Sequence, residues 1–205
     1  MKEWTMEFFV LRHGNAEKVP DGSPYEVEAA RCLTPLGQRQ ALERGALFGY
    51  PHFDLSLSSP MVRTLQTLQF VRGYVCQDPI IVLPQLCWIP GTRFNDVLGE
   101  TFEALLYQPL AAYRRRSGPI FDEHAREAWR VVKEWIKHLA LDENCKILVV
   151  GHAVLIAAFG CVAADSPNAD HILSSISFDE CAGYKLDIRD GHLVNLRTLR
   201  PLTTT

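Results

Sequence analysis

The sequence predicts an α/β fold, a three-layer sandwich in which a mostly parallel sheet is covered on both faces by helices. Two observations lead there. Apolar, β-branched or aromatic runs alternate along the chain with stretches of helical period, the pattern of strand-helix-strand units. The long apolar segment "ILVVGHAVLIAAFGCVAA", Ile147 to Ala164, changes character at Gly151 and His152, from β-branched before them to Ala-rich after. A buried strand running into a buried helix explains that change better than one membrane-spanning helix does.

The elements follow in order. Met6–Leu11 reads as a buried strand. Thr34 then stands as a helix N-cap with Pro35 at the first helical position and Leu36, Leu42, Ala46 and Leu47 behind it. "FDLSLSS" alternates Phe53, Leu55 and Leu57, and after Pro60 a helix places Met61, Leu65 and Leu68 on one face. Ile80–Pro84 is a short strand. From about 87 to 119 the chain has no clean period and several Gly and Pro, and is read as an inserted lid with some helix. From Asp122, the residues Ala125, Ala128, Trp129, Val132, Trp135, Ile136 and Leu139 fall at amphipathic helical spacing. The end of the chain reads as two strands, "AGYKLDI" and "HLVNLRTL", joined by a turn at Asp190-Gly191, so one antiparallel edge is expected. The final "TTT" is expected to fray.

With 205 residues, 47% hydrophobic and 22% charged, residues 1–205 suit a single domain. A net charge of −3 without a long basic stretch argues against nucleic-acid or membrane-surface partners. Six scattered cysteines with no C-x-x-C pair, and an N-terminus "MKEWTMEFFV" without a long apolar segment, fit reduced thiols and a cytoplasmic location.

In open α/β sheets ligands bind beyond the carboxyl ends of strands. Three such ends carry polar residues: Arg12-His13-Gly14-Asn15 after the first strand, Ser58-Ser59-Pro60 running to Arg63 after the second, and Gly151-His152 after the late strand. Arginine offers a planar fork for phosphate oxygens, a helix N-terminus adds N–H donors, and neutral imidazole is a nucleophile. Together they describe a pocket for phosphoryl transfer. Gly14 gives the backbone room, and Asn15 is either a further donor or an ordinary surface polar residue.

Four blocks carry a resemblance: "LRHGNAE", "LTPLGQRQA" (Leu33–Ala41), "SSPMVRTLQT" (Ser58–Thr67) and "VVGHAVLI" (Val149–Ile156). In this order they resemble the histidine phosphatase superfamily, which includes cofactor-dependent phosphoglycerate mutases, small-molecule phosphatases and bacterial phosphohistidine phosphatases. The resemblance implies a phosphoglycerate mutase-like fold, His13 as the nucleophile that takes the phosphoryl group, and Arg12, Arg63 and His152 as the clamp on its oxygens. A phosphatase acting on phosphate monoesters or phosphoramidates is expected, with a phosphorylated small molecule or a phosphohistidine protein as partner.

The sequence departs from the family where many members carry a proton-donating Glu after the third strand. Here "VLPQL" holds Gln85, which cannot donate that proton. Asp96, Glu100 or Glu103 could substitute, or could merely favour a helix N-terminus. The mutases' Asn is missing too, its neighbourhood being Lys18, Val19 and Pro20. A mutase-like phosphotransferase and a phosphate-binding module without turnover are therefore the alternatives. "YRRRSG" (Tyr113–Gly118) is read as a solvated charge run rather than a funnel for anions, and Trp88 as core or lid packing rather than a substrate contact. His52, His124, His138, His171 and His192 show no metal-ligand spacing, so neither a metal nor a cofactor is expected.

Overall fold

The computed structural model describes residues 5–20, 22–73, 78–88, 90–141 and 144–202. Cys76 and the expected frayed end at 203–205 lie outside the described residues. The strands are β1 (Met6–Arg12), β2 (Leu55–Ser58), β3 (Ile80–Val82), β4 (Lys146–Gly151), β5 (Gly183–Arg189) and β6 (His192–Leu199). The helices are α1 (Tyr25–Ala29), α2 (Pro35–Phe48), α3 (Val62–Arg72), α4 (Arg93–Leu105), α5 (Leu110–Ser117), α6 (Ile120–His138), α7 (Ala153–Ala164) and α8 (Pro167–Ser175).

The strands form one sheet in the order β3-β2-β4-β1-β5-β6. The pairings β3·β2, β2·β4 and β4·β1 are parallel, whereas β1·β5 and β5·β6 are antiparallel. The expected antiparallel strand is thus β5, one place in from the edge, because the hairpin at Asp190-Gly191 turns the chain once more before it stops.

Alternate side chains of the central strands enter two cores. Phe8, Val10, Leu55, Leu57, Ile147 and Val149 pack with Ala125, Ala128 and Val132 of α6 and with Leu155, Ile156 and Phe159 of α7. On the other face, Phe9, Leu11, Leu148 and Val150 meet Ala41 of α2 and Leu68 and Val71 of α3. Burial on both faces explains why "ILVV" is continuously apolar rather than alternating. Fully burying each such side chain contributes about 1.5–3 kcal/mol.

The apolar segment Ile147–Ala164 divides into β4 and α7, and no helix among the described residues is long and apolar enough to cross a membrane. The cap on α2 forms as expected, with the Thr34 hydroxyl accepting from the Gly37 N–H at 3.1 Å. Met61 differs: it is the residue before α3 rather than part of its face, since the helix starts only at Val62. The expected strand Ile80–Pro84 stops at Val82 and gives way to a 3-10 turn at Pro84–Leu86, and the aperiodic stretch from about 87 to 119 holds the helices α4 and α5 among its described residues.

Candidate active site

Strand register places the site. Arg12 is the Cα partner of Gly151, and Ser58 of Val150, so β1, β2 and β4 end side by side. The pairing continues past those ends, with His13 N–H donating to the Gly151 carbonyl at 3.0 Å and Ser59 N–H to the Val150 carbonyl at 3.2 Å. His13, Ser59 and His152 must therefore leave the sheet together. Their burial among helices at this edge follows from the sheet order.

The loop after β1 is locked to the neighbouring blocks. Gly14 N–H donates to the Thr67 hydroxyl at 2.9 Å, and that hydroxyl donates to the Arg63 carbonyl at 2.7 Å. Asn15 N–H donates to Gln40 Oε1 at 2.8 Å, while Asn15 Oδ1 accepts from the Thr34 hydroxyl at 2.7 Å. Asn15 thus fastens the loop to the start of α2. Contact is so close that a Cβ on Gly14 would lie 2.7 Å from the Gly37 carbonyl oxygen, and one on Gly37 would lie 2.0 Å from that of Asn15. Only glycines fit this crossing.

His13 and His152 are both buried and meet edge to face, ring centroids 5.2 Å apart. His13 Nδ1 lies 2.7 Å from the Gly14 carbonyl. A carbonyl only accepts, so Nδ1 carries the proton and Nε2 keeps its lone pair. Burial, then Arg63, then Arg12 hold the His13 pKa well below its ordinary value, against the Gly14 carbonyl. Burial, Arg63, His13 and Arg12 do the same to His152. His152 Nε2 is 3.1 Å from the Ser59 hydroxyl, which also meets the Thr64 hydroxyl at 2.8 Å. The Thr64 hydroxyl faces the Ser59 and Met61 carbonyls at 3.0 and 2.6 Å, which take its proton. Ser59 consequently donates to Thr64, and His152 Nε2–H donates to Ser59.

Two guanidinium groups flank the histidines. Arg12 Nη1 donates to the Phe178 carbonyl at 2.8 Å, its Nη2 lies 3.7 Å from Glu180, and Tyr107 from the α4–α5 connection sits against it at 5.2 Å. Arg63, in the first turn of α3, donates through Nη1 to the Glu28 carbonyl at 2.6 Å, and its Nε is buried with no partner among the described residues. Burial first and Arg31 second bring its pKa down to about 10. A buried, unpartnered donor on a cation is costly unless an acceptor arrives. Trp88 covers both groups, 5.0 Å from the His152 ring and 5.8 Å from the Arg63 guanidinium. The neighbouring Cys87 thiol is pushed up to about 12 by burial, with Arg63 pulling the other way.

His13, Arg12, Arg63, His152 and Gly14 come together as the sequence suggests. Gln85 hydrogen-bonds with none of them among the described residues: it lies in the 3-10 turn with its Oε1 buried and without a described partner, while Trp88, read as packing, stands beside His152. Asp96, Glu100 and Glu103 are exposed on α4, and Glu100 borders a surface hollow with Arg116 and Ser117. Among the described residues no carboxylate hydrogen-bonds or ion-pairs with His13 or His152. The "YRRRSG" run splits, with Arg114 tied to Asp122 and Asp170 and both following arginines exposed. Thr67, Gln40 and Gly37 stand inside the quoted blocks but carried no role in the sequence; asking what each block's polar residues bond to would have found them. Arg31 and Glu28, next to Arg63, gave no signal. Among the described residues, no three His, Cys, Asp or Glu side chains gather where they could hold a metal.

Residues 8–199 match the family model of the histidine phosphatase superfamily, branch 1. The chain belongs to the histidine phosphatase superfamily. No curated protein matches its sequence. Among solved structures, the fold is shared with a phosphoserine phosphatase from Entamoeba histolytica, solved with 3-phosphoglyceric acid (20% identity, TM-score 0.64, covering 97% of this chain and 98% of that one). It is also shared with an alpha-ribazole phosphatase from Shigella flexneri (19%, TM-score 0.62, 98% and 96%) and SixA from Agrobacterium tumefaciens (15%, TM-score 0.52, 96% and 99%). The six-stranded sheet flanked by helices is therefore the fold of this superfamily, shared with these three solved members.

Proposed function

We propose that this histidine phosphatase is a metal-independent hydrolase of phosphate monoesters or phosphoramidates that works through a phosphohistidine on His13. The supporting observation is a buried His13 held neutral with its Nε2 lone pair free, beside an Arg63 whose buried Nε lacks an acceptor. The incoming phosphoryl group supplies that acceptor. Nε2 attacks phosphorus, the ester or amide bond breaks, and the leaving group takes the electron pair. Arg12 and Arg63 hold the oxygens on which charge spreads, and His152 joins them once its second ring nitrogen takes a proton from the bound phosphate monoanion. A water molecule then attacks phospho-His13, releasing inorganic phosphate and restoring the neutral ring.

With no carboxylic acid touching the histidine pair among the described residues, departure is unassisted unless a group moves in. Aryl phosphates and phosphoramidates, whose leaving groups need little help or can already be protonated, suit such a site. The same observation favours the second reading, a phosphate-binding module without turnover. Quenched reaction with labelled substrate decides between them. An acid-labile, base-stable phosphoenzyme mapped to His13 supports hydrolysis. Phosphate affinity with neither phosphoenzyme nor p-nitrophenyl phosphate turnover supports the binding module, and an alkali-labile acyl phosphate removes His13 as nucleophile.

A further inference from the structure

Beside the pocket, the segment that carries α1 holds a second arginine system outside all four sequence blocks. Arg31 Nη1 reaches both carboxylate oxygens of Glu28 at 3.1 and 2.9 Å, and its Nε donates to the Glu17 carbonyl at 2.5 Å. Its Nη2 makes no hydrogen bond among the described residues. The same Glu28 carboxylate stands 3.8 Å from Arg63 Nη1, so one carboxylate separates Arg31 from the proposed phosphate clamp. All three side chains are partly or largely buried, with 22% exposure at Arg31, 28% at Glu28 and 3% at Arg63.

We infer that Arg31 is a specificity residue that binds a carboxylate on the leaving group of the substrate, taking the place that Glu28 fills in this structure. The Arg31–Glu28 contact, in which Nη1 alone meets both carboxylate oxygens, shows the chemistry this guanidinium accepts, and a fork of Nη1 and Nη2 matches a carboxylate better than a lone oxygen. A phosphoryl group on Arg63 would face the negative charge of Glu28, so substrate entry favours displacing that carboxylate. Displacement frees the fork on Arg31. Its charge is near enough to contribute to the lowered pKa of His13, His152 and Arg63, which places it within electrostatic reach of the reacting phosphate as well. The inference rests on the phosphatase reading above for the position of the phosphate.

The test compares phenyl phosphate with 3-carboxyphenyl phosphate as substrates, and the two corresponding phosphonates as non-hydrolysable ligands in calorimetry. Wild type is expected to favour the carboxylated ester in kcat/KM by ~10-fold or more, through KM, the scale of a charge-assisted hydrogen-bond pair. Arg31→Met should remove that preference, Arg31→Lys should restore part of it, and Glu28→Gln should enlarge it. Equal kcat/KM for both esters, or an Arg31→Met variant that slows both alike, would overturn the inference and leave the phosphatase reading standing. If neither ester is hydrolysed but the carboxylated phosphonate binds more tightly in an Arg31-dependent way, the phosphatase reading fails and the carboxylate site stands. Failure of both phosphonates to bind overturns both.

Discussion

His13 and His152 lie edge to face at 5.2 Å, yet neither ring's proton is directed at the other: one goes to the Gly14 carbonyl and the other to the Ser59 hydroxyl. The pair is thereby preset as one nucleophile and one future donor. Replacing His13 with Ala is expected to abolish p-nitrophenyl phosphate turnover. Because the ring hangs beyond a strand end, the melting temperature should move by no more than about 4 °C, the scale of ~1 kcal/mol in a chain of this size. Retained turnover would remove His13 from the mechanism.

Both rings, and His124 by its own burial, have folded-state pKa values below the ordinary histidine value. The sign follows directly. Below about pH 6.5 the unfolded chain takes up protons that the folded one refuses, so stability is lost as pH falls through that window. Melting temperature should drop from pH 7.5 to 5.5, and inorganic phosphate should reduce the drop by making charged rings acceptable. The double variant His13→Asn, His152→Asn should make it shallower, leaving the part due to His124; an unchanged slope would mean that other groups set the pH dependence.

Arg12→Ala and Arg63→Ala are each expected to lower kcat/KM by ~10²–10³, as for loss of one donor to transition-state charge. EDTA should leave wild-type turnover unchanged. Activity lost to the chelator and restored by a divalent ion would point to a metallophosphatase instead.

Rates should fall steeply as leaving-group pKa rises, because among the described residues no carboxylic acid meets the histidine pair. Glu100→Gln should have no effect on alkyl esters, since Glu100 is exposed on α4. A general acid there would be worth ~10²–10⁴, and a loss of that size would show that α4 closes over the site. A shallow leaving-group slope would reveal a donor that arrives only with substrate.

At the crossing of the first two blocks, Gly37→Ala should destabilise the protein by ~1–3 kcal/mol and slow turnover, since the new Cβ would lie 2.0 Å from the Asn15 carbonyl oxygen. Denaturant unfolding and steady-state rates check both effects. A neutral substitution would mean that the loop after β1 can shift without moving His13.

The parts of the site carried by regular elements were legible. Arg12, His13, Ser59 and His152 follow buried apolar strands, and parallel register brings such ends together whatever the helices do. The turn after β3 was not. Whether Gln85 or Trp88 faces His152 depends on the phase of a single 3-10 turn, which no period in "LPQLCW" reports. Arg31 and Glu28 were invisible for a related reason, since α1 is one short helix with no buried residue to fix its face. Their meaning arises only where the segment passes Arg63.

The distribution of thiols gives the molecule a built-in handle. Cys87, Cys161 and Cys181 are buried with pKa values pushed up to about 12, and Cys145 is buried too, whereas Cys32 is partly open and sits one residue after Arg31. At neutral pH an alkylating dye therefore meets buried sulfur at these four positions but a usable one at Cys32. In a Cys76→Ser background, a fluorophore on that single position would report in real time whether the segment beside Arg31 shifts when ligand enters, without touching the chemistry.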